Sequence, residues 1–443
     1  MLNLQIAQNR RVVQCNKKSG IFVSLEITPD ESAQSIQKSH HVALAIDCSG
    51  SMYGEPLDDA KNAAIQAVRS LSPHDLVSIV SFESEVKVEL SATPANDPNV
   101  VNVINSLEVE GATALYGGID RAFGLLQQSG NAEINKLMVF TDGEPTVPPY
   151  EDNDFEQQAK SIRSAGITLD VFGIGIDYNE ILTKKIAECG GGKWEHVENS
   201  HDLQSTVMVQ MTEMQNTVIS NPQLEINLMD GAELAEASIT NPVLEEINLK
   251  EHQRGNNKIT FGIKDIIKDQ SQTIVMRISA PPIQSTQPIP LLTAVIVEGS
   301  NEVAHATAEI SCSDDPALFN LEPNPDPRVL FQSGKATILN QKGVEGDQQA
   351  TVMAKTLLNQ LEQDTTSDEL GDDARATVIK AQEIGGNLKP EMTEAEKKTV
   401  LHESTKIGQK SSAKCPHCAA NIKPGVKFCG SCGKPINYQE ESK

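Results

Sequence analysis

The chain has 443 residues, too many for one ordinary domain, and about three domains are expected at this length. Its formal charge is −24, from 37 Lys and Arg against 61 Asp and Glu, which argues against a broad nucleic-acid or anionic-membrane surface, since both need basic patches. Aromatic residues make up only 4%, so the cores must be built from Val, Ile, Leu and Ala.

The start, MLNLQIAQNRRVVQC, lacks the basic-then-apolar order of a signal peptide. The longest apolar run, PLLTAVIV at 290–297, falls far short of the roughly 20 residues of a membrane helix. Cys15 is preceded by neither the apolar run nor the small residues of a lipid anchor. Of the eight cysteines, Cys15, Cys48, Cys189 and Cys312 are scattered and the other four are paired near the end. That pattern is not a disulfide framework and points to a reducing, cytoplasmic address; the short apolar runs and the acidic charge point to no membrane partner.

Residues 1–36 hold two strand candidates, Leu2–Ala7 and the alternating IFVSLEIT at 21–28. Two strands cannot bury a core alone, so they need later partners. Over residues 40–216 strands alternate with helices, beginning with the apolar run Val42 to Ile46 and a helix after Pro56. LVSIVSF, VKVEL, KLMVFTD, ITLDVFGIG and KWEHV supply further strands. This order predicts a doubly wound, Rossmann-like α/β domain with a largely parallel sheet. Residues 217–312 change character to alternating strand runs separated by Gly, Asn and Pro, an all-β sandwich that the first 36 residues would complete. The α/β domain is therefore expected to be inserted into, or flanked by, that sandwich. Residues 313–344 open with four prolines before position 328 and read as a linker or strap. Residues 345–410 read as a small helical region on the sandwich, with Val352, Leu357, Leu358, Leu361, Val378 and Ile379 as its apolar stripe and Gly385-Gly386 as a helix cap. Residues 413–437 form a separate cysteine-rich tail.

The chemistry concentrates at the ends of the α/β strands. VALAIDCSGSM at 42–52 closes a buried strand with Asp47, Ser49 and Ser51. The segment GATAL at 111–115 and TDGEP at 141–145 are predicted to reach the same sheet edge, bringing Thr113 and Asp142. Two carboxylates and three hydroxyls form an all-oxygen set that suits Mg²⁺ or Mn²⁺ and not zinc, with water or a partner's oxygen completing the shell. Taken singly, each of these residues reads better as a turn or cap residue, and only the set points to a metal. Glu144 and the acidic residues Glu151, Asp152 and Asp154 near the same rim read as solvated surface, the alternative being recognition of a basic partner.

Residues 40–216 resemble the von Willebrand factor type A domain with its metal-ion-dependent adhesion site: DxSGS, the GAT threonine and the TDGEP aspartate stand in family order and spacing. The resemblance implies that Asp47, Ser49, Ser51, Thr113 and Asp142 are the ligands, Thr113 directly or through water. It also implies a binding module whose open metal position takes an Asp or Glu from a protein partner. A phosphotransfer or phosphohydrolase enzyme using Asp47 as nucleophile is the rival reading. The residues after Asp47 are Cys, Ser, Gly, Ser and Met, without the second acid such folds usually place there, and no histidine sits in relay position. A non-enzymatic protein is the expectation. Cys48 should point into the core, and Gly190-Gly191-Gly192-Lys193 lacks phosphate-loop spacing and reads as a helix C-cap turn.

In the tail, Cys415 and Cys418 form one C-x-x-C and Cys429 and Cys432 another, enough thiolates for one tetrahedral Zn²⁺. Metal binding must supply most of the folding energy of so short a segment. His417 is a spacer in this reading. KFCGSCG resembles the short zinc ribbons at the ends of many prokaryotic proteins. Lys414, Lys423, Lys427 and Lys434 make the ribbon basic, but Phe428 and Tyr438 are its only stacking surfaces, so protein docking is favoured over nucleic acid. The combination looks like an adaptor in bacterial stress, signalling or ATPase-linked assemblies, an analogy at the level of family.

Overall fold

The structure is a computed structural model, and it describes residues 2–30, 38–129, 132–175, 178–252, 257–364, 370–388, 392–408, 413–414 and 421–422. Three strands open the chain: β1 (Leu2–Gln8), β2 (Val12–Gln14) and β3 (Ser19–Pro29). The α/β segment follows with β4 (His40–Asp47), α1 (Glu55–Ser70), β5 (Leu76–Phe82), β6 (Val86–Pro94), α2 (Pro98–Asn105), α3 (Leu115–Ser129) and β7 (Ile134–Thr141). It continues through α4 (Asp152–Ser164), β8 (Ile167–Ile174), α5 (Glu180–Cys189), β9 (Gly191–Val197) and α6 (Leu203–Gln215).

The sheet order is β6-β5-β4-β7-β8-β9, parallel except for β6. From β4 the chain winds outward to β5 on one side, and from β7 outward to β8 on the other. The order therefore reverses between β4 and β7, which opens a crevice at their carboxyl ends. Strand β4 is apolar without alternation because both its faces are covered. Val42, Leu44 and Ile46 join α1, α2 and α6 in one core, while Ala43 and Ala45 face α3, α4 and α5 in another. A buried ion pair interrupts these apolar layers: Lys136 Nζ lies 2.5 Å from Asp170 Oδ2, and Asp170 Oδ1 accepts the Lys193 N–H at 2.9 Å, tying β7, β8 and β9 together.

The sandwich is assembled from both ends of the chain. Its later elements are β10 (Thr217–Ile219), β11 (Gln223–Leu228), β12 (Glu233–Asn241), β13 (Glu245–Glu246), α7 (Leu249–His252), β14 (Lys258–Gly262), β15 (Ile266–Ile267), β16 (Gln272–Ala280), β17 (Ile289–Glu298) and β18 (Asn301–Ser313). One sheet runs β1-β3-β16-β12-β13 and the other β14-β11-β17-β18-β2. Val23 and Leu25 of β3 thus share a core with Ile226 and Ile296, and the α/β domain is inserted into the sandwich. Arg163 of α4 donates to the Gly262 carbonyl at 2.9 Å, and Lys264 pairs with Glu245 at 2.8 Å while donating to the Gly192 carbonyl at 3.1 Å. These bonds fix the inserted domain to its host.

Five expectations differ from the structure. Cys15 and Cys312 form a disulfide across a sequence separation of 297, at the point where β2 pairs in parallel with the end of β18. Two cysteines this far apart look unrelated until the sandwich brings the first strands onto the last, and the cysteine argument for a reducing address falls with the pairing. The expected strap at 313–344 contains α8 (Pro316–Phe319) and the 19-residue helix α9 (Asp326–Val344), which packs on the sandwich with Phe331 5.2 Å from Phe22 between ring centroids. Its buried face mixes Val329, Phe331 and Ile338 with Ser333, Gly334, Thr337, Asn340 and Gln341, and the polar residues among them obscure its apolar stripe in the sequence. In the helical region that follows, α10 (Gln348–Asp364), α11 (Asp372–Gly386) and α12 (Glu394–Thr405), Val352 and Ile379 are 66% and 46% exposed and belong to no core. Helix α11 runs through both glycines and ends at Asn387 with φ −78°, so no left-handed cap forms there.

Helix α12 also reaches the α/β domain, where a helical unit confined to the sandwich was expected. Lys398 donates to the Tyr178 carbonyl at 2.7 Å, and His402 and Lys406 both meet Glu195 of β9, at 3.0 and 3.2 Å. Burial works against the Glu195 charge, but the His402 hydrogen bond and the cations Lys406 and Lys193 hold its pKa down at about 2. Among the described residues no helix is long and apolar enough to cross a membrane.

Candidate functional site

The crevice at the β4/β7 reversal is closed by loops that are bonded to one another. The Glu110 N–H donates to the Cys48 carbonyl at 2.8 Å and the Gly50 N–H to the Gly111 carbonyl at 3.2 Å, joining the first loop to the second. Thr113 joins the second to the third: its N–H donates to Thr146 Oγ1 at 2.7 Å, and its carbonyl accepts the N–H groups of Thr146 and Val147 at 3.0 and 3.2 Å. Gly111 has φ +69°, and a Cβ there would collide with Glu83 and Ser84, so the second loop needs a glycine at this turn.

Within this frame the five sequence-predicted side chains come to one place. Asp47, at the last position of β4, is 0% exposed; its Oδ1 accepts the Ser49 N–H at 2.8 Å and its Oδ2 the Thr141 hydroxyl at 2.7 Å. Ser49 Oγ lies 3.2 Å from Ser51 Oγ, and Ser51 donates to Asp142 Oδ1 at 2.7 Å. A Cβ placed on Gly143 would sit 3.4 Å from Ser51 Oγ and 3.5 Å from Thr113 Oγ1, so both hydroxyls line the small space that this glycine leaves open. Thr141 and Thr146 were not anticipated. A threonine closing a buried strand next to a candidate ligand was the available signal for the first, and nothing local marked the second. Cys48 is buried on the core side, and burial pushes its thiol up to about 12, which disfavours the thiolate.

The electrostatics favour a bound cation. Burial pushes the Asp47 carboxyl up to about 6 and nearby Asp142 adds to this, while the Ser49 and Thr141 hydrogen bonds act the other way. A buried carboxylate beside a second carboxylate, faced by three hydroxyls, fits a hard divalent ion that binds oxygen. Among the described residues no group of three or more His, Cys, Asp or Glu side chains gathers to hold a metal. The four cysteines expected to hold zinc, Cys415, Cys418, Cys429 and Cys432, lie outside the described residues. Strands β19 (Ala413–Lys414) and β20 (Asn421–Ile422), which pair antiparallel, flank the first C-x-x-C in the sequence.

Residues 41–213 match the von Willebrand factor type A domain family, and residues 411–436 match a zinc-ribbon domain. The chain carries a type A domain. It is similar to the uncharacterized protein YfbK of Escherichia coli, 28% identical over 207 residues that make up 45% of this chain and 35% of that protein. Protein sll0103 of Synechocystis is 25% identical over 245 residues, 54% of this chain and 56% of its own length. The chain thus spans between about a third and just over half of these relatives. Inter alpha-trypsin inhibitor heavy chain 4 of Mus musculus is 25% identical over 197 residues, 21% of its length. Among solved structures, a von Willebrand factor type A protein from Catenulispora acidiphila superposes with TM-score 0.72 at 17% identity, covering 91% of this chain and 96% of its own. The ArnB paralog VWA2 from Sulfolobus acidocaldarius gives 0.57 at 18% identity, with 92% and 98% covered. At these identities the likeness is one of fold, and it extends well beyond the type A domain itself.

The raised Asp47 pKa yields a pH test. Without a cation, Asp47 favours the folded state fully only below its unfolded pKa, and that contribution is lost as pH rises through about 6. Saturating Mg²⁺ should therefore raise the thermal midpoint at neutral pH, by an increment that shrinks as pH falls through about 6 and is absent in Asp47→Ala. An increment unchanged across that range would show that Mg²⁺ acts elsewhere.

Proposed function

We propose that this chain is a non-enzymatic adaptor whose type A domain holds a protein partner through Mg²⁺, or Mn²⁺, at a metal-ion-dependent adhesion site. Asp47, Ser49, Ser51, Thr113 and Asp142 would hold the ion. When bound, the ion supplies an open, electrophilic position for a carboxylate oxygen from a partner's Asp or Glu. The remaining work belongs to the chain. Thr141 and the Ser49 amide fix the Asp47 carboxylate in one orientation, and the Thr113–Thr146 bonds keep the second and third loops in register. The observation that carries the reading is the convergence of two carboxylates and three hydroxyls from three separated stretches at the reversal of the sheet.

The rival is a metal-dependent phosphohydrolase or phosphotransfer enzyme using Asp47. Both Asp47 oxygens accept hydrogen bonds from fixed donors, which suits a ligand held in place better than an attacking nucleophile. Type A domains are in general interaction modules, and the binding reading agrees with that. We assign Zn²⁺ to Cys415, Cys418, Cys429 and Cys432, with the ribbon docking protein rather than nucleic acid, and place the chain in the cytoplasm within a bacterial stress, signalling or ATPase-linked assembly. The support for that address is the four-thiolate tail; the Cys15–Cys312 bridge stands against it.

Affinity capture from a lysate of the source organism should give partners that elute with EDTA. Asp47→Ala and Asp142→Ala should abolish their capture while leaving the circular dichroism unchanged. Partner binding indifferent to chelator would sink the adhesion mechanism, and phosphoester turnover lost in Asp47→Asn would favour the enzyme. Elemental analysis should find one zinc per chain, lost on replacing Cys415 or Cys429; a metal-free full-length chain would overturn the ribbon assignment.

A further inference from the structure

The loops that build the oxygen cluster also determine what can approach it. Stretches 47–55, 83–86, 106–114 and 142–152 contain ten Asp and Glu and no Lys or Arg. They form one rim: besides the bonds already described, Ala112 N–H donates to Ser84 Oγ at 3.0 Å and Ala114 N–H to the Glu83 carbonyl at 2.7 Å. Asp47 and Asp142 are buried in the cluster, whereas Glu55, Glu108, Glu110, Glu144 and Glu151 are exposed. A divalent ion would neutralise the two inner carboxylates and leave the outer ring in place.

Two aromatic side chains stand on the same rim. Tyr53, two positions after Ser51, is 82% exposed, and Tyr150 is 53% exposed. In a chain with five tyrosines, two are placed on these loops and turned outward. Tyr150 is held there by its hydroxyl, which donates to the Thr146 carbonyl at 3.2 Å, and Thr146 Oγ1 is the acceptor for the Thr113 N–H. Exposed tyrosines offer rigid apolar area at low entropic cost and are enriched at the centres of protein interfaces.

We propose, building on the metal-dependent grip above, that the partner is a protein segment presenting one Asp or Glu within a run of Lys or Arg, with Tyr53 and Tyr150 as its apolar contacts. A partner whose acid is surrounded by further acids would meet like charge from the exposed glutamates of the rim, where Lys87, just beyond the second stretch, offsets only Glu83. Flanking lysines or arginines convert that repulsion into attraction, speed encounter and make binding sensitive to salt. The metal position selects for an acid, and the rim selects for a basic context. This pairing of requirements also excludes an anionic membrane or a nucleic acid, whose phosphates carry no such basic flanks.

Selection of a displayed random-peptide library on the full-length chain in Mg²⁺, with elution by EDTA and counter-selection on Asp47→Ala, tests this directly. The eluted peptides should share an Asp or Glu with net positive flanks. Their affinity should fall about tenfold in Tyr53→Ala and in the doubly substituted Glu110→Lys/Glu144→Lys chain, and the latter should also flatten the salt dependence. Peptides that need Mg²⁺ but carry neutral or acidic flanks, or that ignore the charge reversal, would overturn the basic-partner inference and leave the metal grip standing. Peptides that bind equally in EDTA, or no EDTA-eluted peptides at all, would count against the grip itself and so against both.

Discussion

The Asp47 carboxylate is wholly buried at the end of the central strand, and the surrounding structure is arranged around the cost of placing a charge there. Two fixed donors, the Ser49 amide and the Thr141 hydroxyl, meet part of that cost. The rest is visible as a carboxyl whose pKa is pushed up to about 6. Neighbouring Asp142 makes the position less favourable still without a cation. A site that is electrostatically incomplete alone, yet rigidly built, is what a metal-dependent contact requires. The rigidity comes from backbone bonds between loops, and those loops are held in turn by strands buried on both faces.

The same chain builds its larger architecture from long-range closure. The first strands complete a sandwich whose other strands lie some 200 residues later, and the Cys15–Cys312 bridge seals the seam. Helix α12 then returns to the open edge of the type A sheet, where Glu195 draws together His402 and Lys406. In the sequence, the zinc-ribbon match thus follows a helix that is itself anchored to the domain proposed to hold a partner. The likeness of fold to the Catenulispora and Sulfolobus proteins covers 91% and 92% of the chain.

Much of this was legible in the sequence for physical reasons that can be named. The unbroken apolar run of β4 announced a strand covered on both faces, and the abrupt Asp47 at its end marked the crevice. Alternation in IFVSLEIT announced a half-buried strand in search of a sheet, and the sheet proved to be that of β16. What stayed hidden was set by tertiary context. Helix α9 buries Ser333, Asn340 and Gln341 among its apolar residues and follows a run of prolines, so its pattern resembles a linker. Val352 and Ile379 are apolar at helical spacing yet face outward, because spacing alone does not say which side of a short helix finds a neighbour. Thr146 supports Thr113 across 33 residues, and no local pattern predicts such a bond.

The central claim is that the oxygen cluster is a cation site, and Mn²⁺ binding to the zinc-loaded full-length chain, followed by electron paramagnetic resonance, tests it most directly. A single bound Mn²⁺ per chain is expected, displaced by Mg²⁺, lost in Asp47→Ala and Asp142→Ala and retained in Cys48→Ala. A chain that binds no Mn²⁺, or whose bound Mn²⁺ is indifferent to both aspartate substitutions, would contradict it.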